Sequence, residues 1–303
     1  MNLSFLTYTV KSKILAGMRR IFLSITFLFT PIQLIQFLNW KFFKSKRPTI
    51  TKPLRNSTSD LKTIDQKNSN PKVAIILHVF YPDIGIEILH QVLPKSNHFD
   101  KILVTHSMTT AVLTEFQSEV PQELLSKCHF MTVENRYRDC GPFIQATDSP
   151  YLSDCNVFLK LHTKKSPHLP NDEGSLWRRG LIDGLLNPKD IESLIRQLST
   201  QSEALWACPE RWISTKSDWG YNSFQVWKLT RLLDIPFRGP QPFPVGNMYW
   251  LNKNLLNTLS ALRLSVSSPS VAKLYFFSDG ALPHAMERLT SQIPIQTKNF
   301  SEL

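Results

Sequence analysis

The sequence contains few cysteines and lacks the short motifs of several common enzyme classes. Its 303 residues include only four cysteines, with no CxxC pair: Cys128, Cys140, Cys155 and Cys208. This spacing fits neither a zinc ribbon nor a disulfide-stapled secreted domain, and it indicates a reducing compartment. The phosphate loop GxxxxGK[ST] and the zinc helix HExxH are also absent. Their absence disfavours the nucleotide hydrolases and metalloproteases that carry them.

Positive charge is in excess, but it is confined to one end of the chain. The formal net charge is +11. Residues 1–72 hold 13 Lys or Arg against two Asp, whereas residues 73–303 hold 22 basic and 22 acidic side chains. A nucleic-acid-binding surface would need its excess in the folded domain. We therefore predict no nucleic-acid partner.

The N-terminal region contains one long uncharged run, IFLSITFLFTPIQLIQFLNW at residues 21–40, with basic residues on both sides. Twenty such residues suffice to span a bilayer, and they predict an N-terminal hydrophobic helix. Pro31 and the glutamines after it weaken a spanning helix, so a helix lying in the membrane interface stays open. The stronger basic cluster follows the run, which places the rest of the chain at the cytoplasmic face of the plasma membrane.

Composition then divides the chain into three parts. Residues 1–46 form the basic, hydrophobic, membrane-associating segment, and residues 47–72, polar with three prolines, predict a linker. Residues 73–303 form the folded domain. The chain is 42% apolar and 11% aromatic, enough for a sizeable core in one or two domains.

From residue 73 onward, short apolar runs alternate with helical patterns, which is typical of an α/β fold. The predicted strands are residues 73–80, 101–107, 129–135, 156–162, 204–208 and 245–251. The predicted helices are residues 83–93, 109–120, 254–262 and 281–289, with another opened by Pro188 after Asn187. We expect a Rossmann-like, mostly parallel sheet flanked by helices.

Polar clusters follow three of these strands: HVFYPD (78–83), ENRYRDCGPF (134–143) and HTKKSPH (162–168). Ligands of such sheets bind beyond the carboxyl ends of the strands, so the clusters should converge there. The cations they bring are Arg136, Arg138, Lys160, Lys164 and Lys165. These groups suit a diphosphate, while Phe80 or Tyr81 could stack on a base. Taken singly, each cluster could instead be a solvated loop or a local ion pair.

Four motifs in this order resemble the rhamnan synthesis F family of bacterial polysaccharide glycosyltransferases. They are ENRYRDCGPF, KLHTKKSPH with WRRGLIDGLL, FPVGNMYW and SDGALPHAMERL, and the resemblance covers about residues 73–290. It implies a GT-A-like (nucleotide-diphospho-sugar transferase) fold. It also implies transfer of rhamnose or a related sugar, from dTDP-rhamnose in the first case, to a lipid-linked or polysaccharide acceptor that becomes part of a cell-surface polysaccharide. Tyr137 and Pro283 stand where the family usually has small residues.

The resemblance also raises the question of a metal, because most GT-A enzymes hold a divalent cation on a DxD motif after the fourth strand. The corresponding stretch here, KLHTKKS, has no carboxylate. We predict that His162, Lys164 and Lys165, helped by Arg136 and Arg138, stabilise the leaving diphosphate instead. Mg²⁺ or Mn²⁺ held elsewhere stays open. One possible pair of ligands is Asp139 with Asp279.

Inverting transfer needs a base that takes the proton of the acceptor hydroxyl. By resemblance, Asp279 in SDG is the leading candidate, although an Asp before a helix could be only a cap. His284 and Glu287, three residues apart on the next helix, could act as the base or orient it. They could equally form a pair on the helix surface.

Further binding residues are expected at four positions. His78 could grip a donor base or be a satisfied core histidine, and Asp139 could contact the ribose or fix an arginine. Arg178, at the predicted start of a helix, could reach a pyrophosphate or face solvent, and Gly246 could let the backbone approach the sugar. The alternative function is a non-catalytic sugar- or nucleotide-binding component of a polysaccharide assembly complex.

Overall fold

The computed structural model describes residues 70–165, 173–214, 219, 222–262 and 282–293. All of them belong to one compact unit, Ser69–Leu303. The predictions for residues 1–46, and for the linker up to residue 69, lie outside the described residues. So does Asp279. Within the described ranges, no helix has the length and apolar character needed to cross a membrane.

A six-stranded sheet forms the centre of this unit. Its strands are β1 Val73–Val79, β2 Lys101–His106, β3 Cys128–Thr132, β4 Val157–His162, β5 Trp206–Ala207 and β6 Tyr249–Asn252. They lie in the order β3-β2-β1-β4-β6-β5. β1 to β4 are parallel, whereas β6 runs antiparallel to both β4 and β5. The mixed α/β fold with a central sheet flanked by helices is therefore confirmed.

The strand order reverses between β1 and β4. From β1 the chain adds β2 and then β3 on one side, and it returns to place β4 on the other side of β1. Every residue of both strands is buried, as expected for a parallel sheet covered on its two faces. The crevice at their carboxyl ends is therefore a topological switch point, where open α/β sheets bind ligands.

Helices connect and flank the strands. They are α1 Pro82–Val92, α2 Thr110–Glu119, α3 Gln122–Leu125, α4 Cys140–Thr147, α5 Glu173–Leu186, α6 Ile191–Thr200, α7 Ser223–Leu232, α8 Lys253–Ser260 and α9 Leu282–Leu289. Short 3-10 turns occur at Leu93–His98, Pro150–Leu152, Glu210–Trp212, Val245–Asn247 and Thr290–Gln292. Pro82 opens α1, where its missing N–H is not needed.

Two helix starts differ from the sequence prediction. The helix expected to open at Pro188 begins at Ile191, because the Asp190 side chain accepts a hydrogen bond of 2.8 Å from the Ser193 N–H and caps it. The WRR stretch does not open a helix. Trp177 to Arg179 lie inside α5, which already begins at Glu173.

The predicted strand at residues 245–251 is only half correct. Gly246 and Asn247 have φ values of +79° and +58°, in the left-handed region, which a strand cannot accommodate. The segment therefore forms a 3-10 turn before β6 begins at Tyr249. This turn projects residues into the cavity described below.

Candidate active site

A cavity of about 650 Å³ opens at the carboxyl ends of β1 and β4. It is lined by His78, Phe80, Tyr81, Asn135, Arg138, Asp139, His162, Thr163, Lys164, Lys165, Gly246, Asn247, Pro283, His284 and Glu287. The clusters that follow β1, β3 and β4 therefore meet at one place, together with the turn before β6 and helix α9. Three predicted site residues, Arg136, Lys160 and Arg178, do not line it.

A buried ion pair lies beneath the cavity. The Lys160 side chain is 2% exposed, and its Nζ lies 2.8 Å from Asp139 Oδ2. The same Nζ donates to the Asn247 carbonyl at 2.6 Å, and Asn247 Nδ2 donates to Asp139 Oδ2 at 2.6 Å. Burial would raise the pKa of Asp139, but His162, which is protonated in the acid range where Asp139 titrates, and Lys160 hold it well below the usual range. Asp139 therefore remains a carboxylate, and Lys160 supports the site from below.

The backbone around this ion pair takes unusual conformations. Tyr137 and Arg138 have φ values of +59° and +56°, so two successive non-glycine residues are left-handed immediately before Asp139. Such residues cost about 1–3 kcal/mol each and persist only where the surrounding structure holds them. Gly246 is needed for a second reason, because a side-chain carbon there would lie 2.5 Å from the Trp177 ring. The backbone thus adopts locally strained conformations that direct Arg138 and Gly246 into the cavity.

Cationic side chains form the rim of the cavity. The Lys164 Nζ lies 4.5 Å from the centre of the Trp177 ring, and the Lys165 Nζ lies 4.4 Å from that of Tyr81. Arg138 Nη1 lies 3.4 Å from His284 Nε2. Three cations from two chain segments therefore surround one opening, as expected of a site for phosphate oxygens.

Contacts with α1 and α5 hold the lysine-bearing segment in place. Thr163 Oγ1 accepts hydrogen bonds from the backbone N–H groups of Phe80 and Tyr81, at 2.8 and 3.1 Å. Arg178 donates to the Lys164 carbonyl and to Glu87 Oε2, both at 3.0 Å. Because Arg178 is 4% exposed and committed to these partners, it positions the segment and does not reach the cavity.

Arg136 also differs from its predicted place. Its Nε lies 3.1 Å from Glu134 Oε2, and its side chain is about half exposed. Arg138, two residues later, faces the cavity instead, since the left-handed backbone of Tyr137 and of Arg138 itself redirects the chain.

The two buried histidines of the site are uncharged near neutral pH. His78 and His162 are register partners on β1 and β4, and both line the cavity. Burial lowers the pKa of His78 to about 4 and that of His162 to about 3. His162 therefore contributes no positive charge, contrary to the prediction that it helps to neutralise a diphosphate.

Helix α9 brings a carboxylate to the cavity wall. Glu287 Oε1 accepts from the Gly246 N–H at 2.6 Å, and Oε2 accepts from Arg288 Nη1 at 3.0 Å. Burial raises the pKa of Glu287 above its usual value. A fixed carboxylate with a raised pKa is suited to take a proton.

The described residues do not favour a metal at this cavity. Asp139 and Glu287 are the carboxylates among its described lining, and both already accept hydrogen bonds from protein donors. In residues 70–165, 173–214, 219, 222–262 and 282–293, no three His, Cys, Asp or Glu side chains could together hold a metal ion. The pair Asp139 with Asp279 stays a prediction.

Sequence reasoning missed Asn247 and Thr163, which fix the ion pair and the lysine segment. The Gly-Asn dipeptide at 246–247 was a usable signal, because both residue types tolerate left-handed backbone. The sequence around Thr163 contained no such signal, because its hydroxyl accepts hydrogen bonds from backbone N–H groups that are distant in sequence.

The family model described as Rhamnan synthesis protein F matches residues 40–299. The chain belongs to this family. Two relatives, both called WxcX, from two strains of Xanthomonas campestris pv. campestris, are 28% and 27% identical over 222 residues. The aligned region covers 72% of this chain and 31% of each relative. This member of the rhamnan synthesis protein F family thus spans about a third of their length.

A solved structure, core-mannan synthase A of Aspergillus fumigatus in its Mn/GDP form, resembles this family member with a TM-score of 0.31 and 9% identity. The match covers 77% of this chain and 74% of that one. A TM-score at this level does not establish a shared fold.

We predict that Asp139→Asn lowers the free energy of unfolding by about 3–5 kcal/mol, because it leaves the Lys160 ammonium buried without a counter-ion. Urea denaturation followed by circular dichroism measures the loss. Asp154→Asn is the matched control, since Asp154 pairs with Lys72 and Lys101 but its side chain is 40% exposed. That variant should lose less than about 1 kcal/mol. Equal losses in the two variants would contradict the structural role of the buried pair.

Proposed function

We propose that this chain is a glycosyltransferase module that binds a nucleoside-diphosphate sugar in the cavity at the ends of β1 and β4. The proposal rests on the observation that Arg138, Lys164 and Lys165 lie around the opening of one cavity of about 650 Å³. Membership of the family described as Rhamnan synthesis protein F supports sugar transfer. Within this proposal the donor is dTDP-rhamnose and the acceptor is lipid-linked or a polysaccharide.

The rim supplies the electrostatic part of the reaction. When the bond between the anomeric carbon and the β-phosphate oxygen breaks, the nucleoside diphosphate leaves with the electron pair and carries increased negative charge. Lys164, Lys165 and Arg138 are placed to stabilise that charge. Each lysine ammonium lies over an aromatic ring, so less ordering is needed when the leaving group departs.

Helix α9, which forms part of the cavity wall, supplies the proton acceptor. The acceptor hydroxyl attacks the anomeric carbon from the side opposite the diphosphate, and its proton passes to Glu287, which gives inversion. The raised pKa of Glu287 makes it a stronger base than an ordinary glutamate. His284, in contact with Arg138, positions the guanidinium.

Donor binding is tested by calorimetric titration with dTDP, UDP and GDP and with dTDP-rhamnose, UDP-glucose and GDP-mannose. We expect at least one pair to bind with an affinity that falls as salt rises, because the rim is cationic. Replacing Lys164 and Lys165 together by Gln should weaken binding at least about tenfold. Lys95→Gln, outside the cavity, is the control. Titration with chelator shows whether a divalent cation takes part. Failure of all six compounds to bind the wild type would end the proposal.

The role of Glu287 separates an enzyme from a binding component. We expect Glu287→Gln to retain donor affinity within about twofold while transfer of radiolabelled rhamnose falls at least about 100-fold. Because burial raises the pKa of Glu287, the transfer rate of the wild type should rise with pH through a range above that of an ordinary glutamate. Glu123→Gln, on the exposed surface, is the control.

Two other results would be informative. Full transfer by Glu287→Gln with none by Asp279→Asn would make Asp279 the base. Tight donor binding with no transfer to any polysaccharide or lipid-linked acceptor would instead favour the non-catalytic binding component.

We also propose that residues 1–46 attach the chain to the cytoplasmic face of the plasma membrane. The support is the uncharged run 21–40 between basic clusters. Carbonate washing of membranes that contain the full chain tests this. Retention in the membrane indicates a spanning helix, release by carbonate indicates an interfacial one, and recovery in the soluble fraction before washing would refute attachment.

A further inference from the structure

Two buried histidines at the floor of the cavity have ring nitrogens without a partner among the described residues. His78 is 4% exposed and His162 is 6% exposed. His78 Nε2 and His162 Nδ1 are both buried and lack a hydrogen-bond partner in the described part of the chain. A buried polar atom is rarely left unsatisfied in a folded protein, so the unpartnered Nε2 of His78, a residue that lines the cavity, points to a ligand.

The surroundings of His78 fix its tautomer. Its Nδ1 lies 3.2 Å from the Thr105 carbonyl oxygen and 3.1 Å from Thr105 Oγ1. A carbonyl oxygen can only accept a hydrogen bond, so the contact with the Thr105 carbonyl favours the tautomer with the hydrogen on Nδ1, which the Thr105 hydroxyl oxygen can also accept. Since burial keeps the ring neutral at physiological pH, Nε2 bears a lone pair. His78 therefore offers the cavity a hydrogen-bond acceptor.

The neutral His162 ring has the same tautomer as His78. Its Nδ1 lies 3.6 Å from Asp139 Oδ2, and Asp139 is a carboxylate that can only accept. A lone pair on Nδ1 would face that negative charge, so the hydrogen lies on Nδ1 and the lone pair on Nε2. The floor thus carries acceptor atoms on His78 and Asp139, whereas the cations lie at the rim.

Because the acceptors lie at the floor and the cations at the rim, the cavity orients a ligand that has hydrogen-bond donors at one end and negative charge at the other. A diphosphate is repelled by an acceptor floor and attracted by the rim. A nucleobase carries acceptors beside its donors, so its carbonyl or ring nitrogen atoms would also face the lone pairs. A sugar hydroxyl can donate to either acceptor. Phe80, 46% exposed at the cavity, offers a ring face for the base instead.

We propose that Nε2 of His78 accepts a hydrogen bond from a hydroxyl group of the sugar moiety of a nucleoside-diphosphate sugar. His78 is then a specificity residue for the transferred sugar and does not contact the nucleobase. The inference rests on the proposed function, because it assumes that such a donor occupies the cavity.

The test is calorimetric titration of His78→Asn with the nucleoside diphosphate and the matching sugar nucleotide that bind best to the wild type. Asn can still donate its amide hydrogen to the Thr105 carbonyl, but it has no atom at the position of Nε2. We expect the affinity for the sugar nucleotide to fall about tenfold and that for the nucleoside diphosphate to change less than about twofold. His78→Gln, whose side-chain oxygen reaches further, should recover part of the loss.

His106→Asn is the matched control. His106 is 1% exposed at the end of β2 and also has a buried Nε2 without a partner among the described residues, but it does not line the cavity. Its replacement should leave both affinities unchanged. Melting temperatures of all variants show whether each is folded, and the comparison of His78→Gln with the wild type stands if His78→Asn does not fold.

The outcomes separate the two proposals. If His78→Asn lowers the affinity for both ligands equally, His78 lies at the nucleoside or the phosphates, and the inference is overturned. Unchanged affinity for both ligands would also overturn it. Either result leaves the proposed function intact. If the wild type binds neither a nucleoside diphosphate nor a sugar nucleotide, the proposed function fails, and the inference fails with it.

Discussion

The buried ion pair between Lys160 and Asp139 is the interaction on which the rest of the site depends. A buried pair of this kind adds little net stability, because removing both charges from water offsets much of their attraction. Its value lies in orientation, since it joins strand β4 to the loop before α4 and, through Asn247, to the turn before β6. That three-way junction keeps the left-handed residues in place and therefore aims Arg138 and Gly246 into the cavity.

Local arrangement, and not net charge, gives the cavity its electrostatic character. The part of the chain from residue 73 onward has equal numbers of basic and acidic side chains. The Lys160 charge is neutralised by Asp139, and the histidines of the floor are kept neutral by burial. The positive potential is therefore restricted to the rim, where low-dielectric walls strengthen it. An anionic ligand would be drawn to the opening and not to the floor.

Sequence reasoning succeeded where periodicity and topology decide the result. β1 and β4 are continuous buried runs and β2 is buried from Ile102 onward, and parallel strand ends must share an edge, so the clusters that follow β1, β3 and β4 had to converge. Sequence reasoning failed where a single backbone angle decides which side chain faces the cavity. Arg136 and Arg138 have the same chemistry and lie two residues apart, yet only Arg138 reaches the cavity. Spacing carries no information about the left-handed bend between them.

Burial was the other quantity that the sequence could not supply. His162 follows the apolar run of β4 and precedes two lysines, so it could belong to the core or to the cationic loop. Its charge depends on that choice, because only an exposed imidazole keeps its ordinary pKa. Arg178 posed the same problem in reverse. An arginine in a helix is usually exposed, and only the position of Glu87 on α1 explains why this one is buried.

The turn at residues 245–247 links the two halves of the proposed chemistry. The Gly246 N–H holds the Glu287 carboxylate, and the carbonyl of the next residue, Asn247, accepts from Lys160. The orientation of Glu287, the proposed base, is therefore linked to the ion pair beneath the cavity through two consecutive residues. The first of these must be glycine because a side chain there would meet the Trp177 ring, and the Lys164 ammonium lies over the same ring. A continuous series of contacts therefore joins the rim of the cavity to Glu287.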